Sequence, residues 1–412
     1  MTADESPSLA TGQRSLGDPG LTFPLWPPLT GGCPRTSTDE VAYPVEVDYA
    51  YDRLPAGFFP GGAAPASHVS GHERWAPLLP PLAAPGLGEG GTPLVELGPG
   101  LFVKDESRNP TWSHKDRLNR CTVSAAVGAG APGVVVASSG NHGASAAAYA
   151  ARAGLPCVVI GSPNPPPVVD SFLRAYGAVV LHVPWEARWP LTRQIVERLG
   201  LHPVSNLAVT HTGHPFGSEG YKTLAYEMHA DLGEPSAVFV PTGYGELLFG
   251  VWKGFAELRR LGVTARMPRL YSCESAAGAP LAAALREGRP AAHTEVGTTD
   301  AYSLACPVGG YRGVVALRES GGRALELSDE QLRAAHGELA AAGLWAELSS
   351  AAGLAGLRSL PAAEREALDG PVVCISTSSG FKDRGVGAGH PEVLDGTWEA
   401  ARPLLRAAGL DA

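Results

Sequence analysis

The sequence predicts an α/β protein with mostly parallel sheets. Three observations predict it. From residue 96 onward, apolar runs rich in β-branched residues, each about five residues long, alternate with helix-length segments. Those runs are nearly continuous in hydrophobicity, as strands covered on both faces require. Several end in loops of glycine and hydroxyl residues, and in such sheets ligands bind at the carboxyl ends of strands. With 412 residues, one large domain or two closely packed domains are expected.

Residues 1–75 are rich in proline and glycine and read as an arm packed on a larger body, with "VAYPVEVDYAY" as an edge strand. The alternative of a disordered tail applies to about the first 20 residues. Next come a strand in "GLFVKDE", a helix in "SHKDRLNRCTVSAAVGAG" with Ser113 as its N-cap, and a strand in "GVVVASSGN". An alanine-rich helix, "HGASAAAYAARAG", leads to the strand "LPCVVIGSP", the helix "SFLRAYGA" and the strand "VVLHVP". Later, "SAVFVPTGYG", "RLYSCESA" and "PVVCISTSSG" are strands, and "ELLFGVWKGFAELRRLG" is a helix. The expected division is a large domain, residues 76–117 and 218–400, and a small mobile domain, residues 118–217.

A net charge of −9 argues against nucleic-acid binding. No run of about 18 apolar residues suggests a membrane span, and the polar, acidic start is unlike a secretory leader. Six scattered cysteines without a CxxC pair fit reduced thiols in a cytoplasmic protein better than a disulfide framework or a metal site.

Three loops and one lysine carry candidate chemistry. "ASSGNHG", residues 137–143, offers hydroxyls, an amide and the N–H groups of a helix N-terminus, which suits a carboxylate or phosphate. It also reads as a plain strand-to-helix turn capped by Ser139 or Asn141. "VPTGYGELLFG", residues 240–250, places two glycines where backbone N–H groups converge on an anion. It lacks the spacing of a P-loop, and Leu248 stands where a dinucleotide fingerprint needs glycine. Glu246 is out of place beside a phosphate unless it points away or stays protonated. "VVCISTSSGFKD" clusters four hydroxyls after a strand. Lys115, between His114 and Asp116, reads alone as a solvated lysine.

Taken together, "ERWAPLLP", "LGEGGTPLVEL", "KDESRNPTWSHKDR", "SSGNHG", "GYGELLFGVWKGF", "EGYKTLAYEM", "WAELSSAAGLAGL" and "STSSGFKD" follow one order and spacing. The chain resembles the fold type II enzymes of pyridoxal phosphate (tryptophan synthase β-like), and among them the threonine synthase family, over roughly residues 72–390. The resemblance implies two α/β domains with the cofactor, pyridoxal 5'-phosphate, in the cleft between them. It implies that Lys115 joins the cofactor covalently and later moves protons at the substrate. Asn141 would bond the phenolic oxygen, and Gly243, Tyr244, Gly245, Glu246 and Leu247 would cup the phosphate. Thr377 would face the pyridine nitrogen. Ser138, Ser139 and His142 would hold the substrate carboxylate, with His211 and His214 also at the substrate. The expected partner is a small amino acid, and a homodimer is expected.

The chain departs from that family in two places. Trp112 and His114 replace a glycine and a phenylalanine beside the lysine. Trp112 either fills substrate space or repacks the loop, while His114 is expected behind the lysine in preference to a proton-shuttle role. In "THTGHPFGSEGYKT", Gly217 stands where the family keeps a phosphate-binding arginine, and His211 and His214 replace asparagines. Unless Arg174, Arg188 or Arg193 supplies the charge, O-phosphohomoserine has lost its site. The expected activity is therefore a carbon–oxygen lyase reaction, β- or γ-elimination or replacement on a small polar amino acid. The alternatives are a genuine threonine synthase, a racemase or an inactive cofactor-binding protein.

Overall fold

The computed structural model describes residues 7–59, 71–138, 140–163, 165–384, 386 and 393–410. The strands are β1 (Ala10–Ser15), β2 (Thr22–Pro24), β3 (Val45–Tyr49), β4 (Leu94–Gly98), β5 (Leu101–Asp105), β6 (Val134–Val136), β7 (Cys157–Gly161), β8 (Val179–His182), β9 (His202–Pro203), β10 (Ala237–Pro241), β11 (Arg269–Ser275), β12 (Arg323–Leu327) and β13 (Val372–Ser376). The first seven α-helices are α1 (Lys115–Gly128), α2 (Asn141–Arg152), α3 (Pro167–Ala175), α4 (Arg188–Leu199), α5 (Gly217–Tyr221), α6 (Thr223–Leu232) and α7 (Glu246–Arg260).

Among the described residues the strands form three sheets. A six-stranded sheet runs β12-β11-β10-β13-β5-β4 and is parallel except for β4 against β5. A second, parallel sheet runs β8-β7-β6-β9. Strands β10 and β13, in the middle of the first sheet, are buried along their whole length. Uniform hydrophobicity is what a strand covered on both faces needs. The carboxyl ends of β10 and β13 open towards the loops that precede α2 and α7, which places the cleft.

The arm is folded from residue 10, so the tail reading fails there. Strand β1 pairs antiparallel with both β2 and β3. Val45, Val47 and Tyr49 of β3 alternate inward, giving the period of two that the sequence shows. Charged groups of the body meet this strand: Lys253 Nζ donates to the Val47 carbonyl at 2.7 Å, and Tyr49 donates to Glu219 at 3.0 Å.

The expected cap of α1 is corrected. His114 occupies the cap position and no side chain caps the helix. Ser113 instead forms an isolated antiparallel bridge with Ser378, and the His114 N–H donates to the Thr377 carbonyl at 2.9 Å. Backbone pairing with the β13 loop thus takes the place of the cap. Among the described residues no helix is long and apolar enough to cross a membrane.

Candidate active site

The residues after Lys115 fasten the start of α1 and leave the lysine to the cleft. The Asp116 carboxylate accepts from the Thr111 N–H, the Thr111 hydroxyl and the Ser145 hydroxyl, each at 2.6 Å. Buried Arg117 donates to Glu106 at 2.7 Å and to Glu227 at 2.6 Å. Lys115 lines the cleft, and its Nζ donates to the Tyr221 phenol oxygen at 3.1 Å. Burial pushes this amine below the usual lysine value, against the opposing pull of Glu246. An amine attacks a carbonyl only as the free base, so the shift favours covalent chemistry.

The cavity around Lys115 measures about 510 Å³, within the range of small-molecule sites. Ser138, Asn141, His142, His211, His214, the loop from Gly243 to Leu247 and Thr377 all border it. Ser139 lies outside the described residues. Asn141 is held by its side chain: Nδ2 donates to Glu347 at 2.7 Å, and Oδ1 accepts from Ser378 at 3.4 Å. One amide hydrogen of Asn141 is left for another acceptor. The Thr377 hydroxyl lies 2.9 Å from that of Ser350.

The loop between β10 and α7 is a cradle. Among the described residues, the amides of residues 243–248 donate to no backbone carbonyl. Gly245 has φ +90°, and a Cβ there would lie 3.0 Å from the Gly313 Cα; one at Gly243 would lie 2.7 Å from Cys306 Sγ. Glu246, awkward in a sequence suited to an anion, turns onto the 211–214 loop. Its Oε1 accepts from the His214 N–H at 3.3 Å, in space left open by Gly213. Burial also raises its carboxyl above the ordinary value, which favours the neutral form.

The histidines are neutral neighbours. Burial pushes His142 and His211 down to about 3, and His214 well below its ordinary value. His211 stacks on Tyr244, with ring centroids 4.1 Å apart. Both nitrogens of His214 are engaged, Nε2 with His202 at 2.9 Å and Nδ1 with the Phe216 N–H at 3.0 Å. His214 therefore shapes the wall more than it offers a free polar atom. His114 binds the Thr377 carbonyl through Nδ1 at 3.1 Å and stacks on Tyr221.

A family model described as "Pyridoxal-phosphate dependent enzyme" matches residues 86–378. The chain belongs to this family. It is also a homologue of threonine synthases. One from Methanosarcina acetivorans is 31% identical over 354 residues, covering 81% of this chain and 86% of the relative. Another, from Synechocystis, is 34% identical over 310 residues, covering 72% and 78%. The fold matches solved structures as well. A fungal L-serine ammonia-lyase from Rhizomucor miehei has a TM-score of 0.61 at 20% identity, covering 70% of this chain and 93% of its own. Maize serine racemase has 0.60 at 20%, covering 77% and 93%. At that identity the likeness shows the fold alone, the fold type II architecture of this enzyme family.

The cofactor of this pyridoxal-phosphate family fits the residues present. Two glycines open the cradle where any Cβ would strike a neighbour, and its amides are unspent. An amine with a lowered pKa and a fixed carboxamide stand on the same cavity wall.

Sequence reasoning missed Tyr221 and Glu347, although "EGYKT" and "WAELSS" were among the matched segments; of the three arginines it raised, Arg188 borders the cavity. It left Trp112 open. Trp112 has φ +62°, a conformation that costs a side chain and favours glycine. It lies off the cavity and packs on Phe172 and Phe381, repacking the loop. Gly217 is off the cavity too: a Cβ there would meet Leu118 and Thr122 at 3.0 Å. The position has been packed against α1 without room for an arginine.

Proposed function

We propose that this pyridoxal-phosphate enzyme catalyses β- or γ-elimination or replacement on a small polar amino acid, as a carbon–oxygen lyase or a replacement enzyme. The observation that carries the reading is the half-buried Lys115, its amine pushed below the usual lysine value, in a cavity that also presents Asn141, the 243–247 cradle and a neutral Thr377 hydroxyl. Pyridoxal phosphate supplies an electron sink for charge developing at the substrate α-carbon. Lys115 would hold the cofactor, and its amine would move a proton at that carbon. Asn141 would orient the ring, and the cradle amides would take the phosphate. Thr377 would offer the ring nitrogen a neutral hydroxyl in place of a carboxylate that would keep it protonated, and the milder sink would suit elimination and replacement. Ser138 and His142, with the start of α2, receive the α-carboxylate. Movement of residues 118–217 over the substrate would exclude water from a hydrolysable intermediate.

The threonine synthase relatives favour a second reading, conversion of O-phosphohomoserine to threonine and phosphate. Against it stand Gly217 and the neutral histidines of the 211–214 loop. A cytoplasmic homodimer is part of the proposal.

Spectroscopy tests the leading reading. The purified protein is expected to be yellow, to change its visible band on addition of its amino acid, and to lose the band in Lys115→Ala. Borohydride reduction that mapped the cofactor to another lysine would sink the assignment. A band that answers to no amino acid would leave a binding protein without catalysis.

A further inference from the structure

We propose that Arg188 selects the substrate by pairing with a second, singly charged anionic group at the end of the amino acid side chain. This rests on the functional reading above and narrows it. Arg188 opens α4 and is only 7% exposed, and its guanidinium stacks on the Trp185 ring with its carbon 3.3 Å from the ring centroid. Among the described residues it pairs with no carboxylate, and its guanidinium makes one hydrogen bond, from Nε to the Trp185 carbonyl at 3.4 Å. Arg188 borders the Lys115 cavity, as do Tyr244 and Cys306, and burial raises the pKa of both these groups so that they stay neutral. A buried guanidinium is costly to leave unpaired, and its planar fork matches a carboxylate with two parallel bonds.

The other arginines raised by the sequence are occupied elsewhere. Arg174 is exposed and bound to Asp170 at 2.6 Å, and Arg193 is exposed and bound to the Leu207 carbonyl at 2.7 Å. Of the remaining cations on the cavity wall, Lys115 is assigned to the cofactor. Arg384 is exposed and lies over the Tyr302 ring at 4.1 Å. One buried guanidinium on a cavity shared with neutral histidines and the carboxyl of Glu246 suits a single negative charge better than a phosphate dianion. The class is thus an α-amino acid with a terminal carboxylate or comparable monoanion.

Equilibrium binding to the cofactor-loaded enzyme decides it, followed by the visible band and by calorimetry. The probes are two matched pairs, L-aspartate with L-asparagine and L-glutamate with L-glutamine, with O-phospho-L-homoserine as a third arm. At least one acidic member is expected to bind roughly 10- to 100-fold more tightly than its amide. Arg188→Gln should collapse that ratio, and Arg188→Lys should keep part of it, with the affinity for pyridoxal phosphate unchanged in both. Equal binding within both pairs, with a band that still responds, overturns the proposal and leaves the functional reading standing. Tightest binding of the phosphate ester overturns the monoanion class. Weakened cofactor binding with the ratio intact would instead assign Arg188 to the cofactor phosphate. No response to any amino acid removes the functional reading and the proposal with it.

Discussion

At the residue scale, titration is the sharpest discriminator. A histidine with an ordinary pKa of about 6.5 would gain charge as pH falls from about 8 to 6 and help hold a phosphate. His142 and His211 are instead lowered to about 3 by burial, so they stay neutral across that interval. The pH profile of kcat/KM should therefore show no limb of rising activity as pH falls from about 8 to 6; such a limb would mean that a histidine is charged in the site. For the same reason O-phosphohomoserine should be a poor substrate. Loss of a buried arginine–phosphate pair is worth about 2–5 kcal/mol, or some tens to a few thousand-fold in kcat/KM. Efficient phosphate-releasing threonine formation at about pH 8 would contradict it.

At the scale of elements, the strand-end loops were legible because their chemistry is local. "SSGNHG" and "TGYGELL" each sit within one turn after an apolar strand, so glycines, hydroxyls and free amides advertise themselves. Partners that arrive from far along the chain were not legible. Tyr221 meets Lys115 from 106 residues away, and Glu347 meets Asn141 from 206. Ser113 looked like a cap because capping is read locally, but a bridge to Ser378 competed for the same segment and won. The layer of β6–β9 with α2–α4 carries Asn141, His142 and Arg188, while the cradle and Thr377 belong to the six-stranded sheet. Amino acid binding should therefore slow hydrogen exchange in residues 134–203 and close the two layers together. Unchanged exchange there on saturation would count against closure.

At the scale of the whole molecule, buried ion networks surround the site. Burial alone would raise Glu227, but Arg117 and Lys104 override it and hold the carboxyl well below the ordinary range; Lys222 and Lys253 do the same for Glu219. A carboxylate depressed by folding stabilises above its unfolded pKa, about 4.3, and that contribution is lost progressively as pH falls from there through the depressed folded pKa, about 2 for Glu219. Thermal stability should thus fall steeply below about pH 4.5, and Glu227→Gln should cost about 3–5 kcal/mol at neutral pH by leaving Arg117 short of a partner. A flat melting temperature between about pH 6 and 3 would refute this.

Arg312 is a further buried cation, held by backbone carbonyls, and it ties the arm to the 211–214 loop. It donates through Nε to the Thr212 carbonyl at 2.8 Å and through Nη2 to the Val45 carbonyl of β3. Thr212 lies between His211 and Gly213, on the loop over which Glu246 is folded. A protease cut or gene truncation that removed β1–β3 would take away one of the two acceptors of a guanidinium buried behind the 211–214 loop. The arm is therefore no dispensable leader for anyone trimming this enzyme to a minimal catalytic fragment. A shortened chain would be expected to keep the cradle and its cofactor colour while losing its discrimination among amino acids.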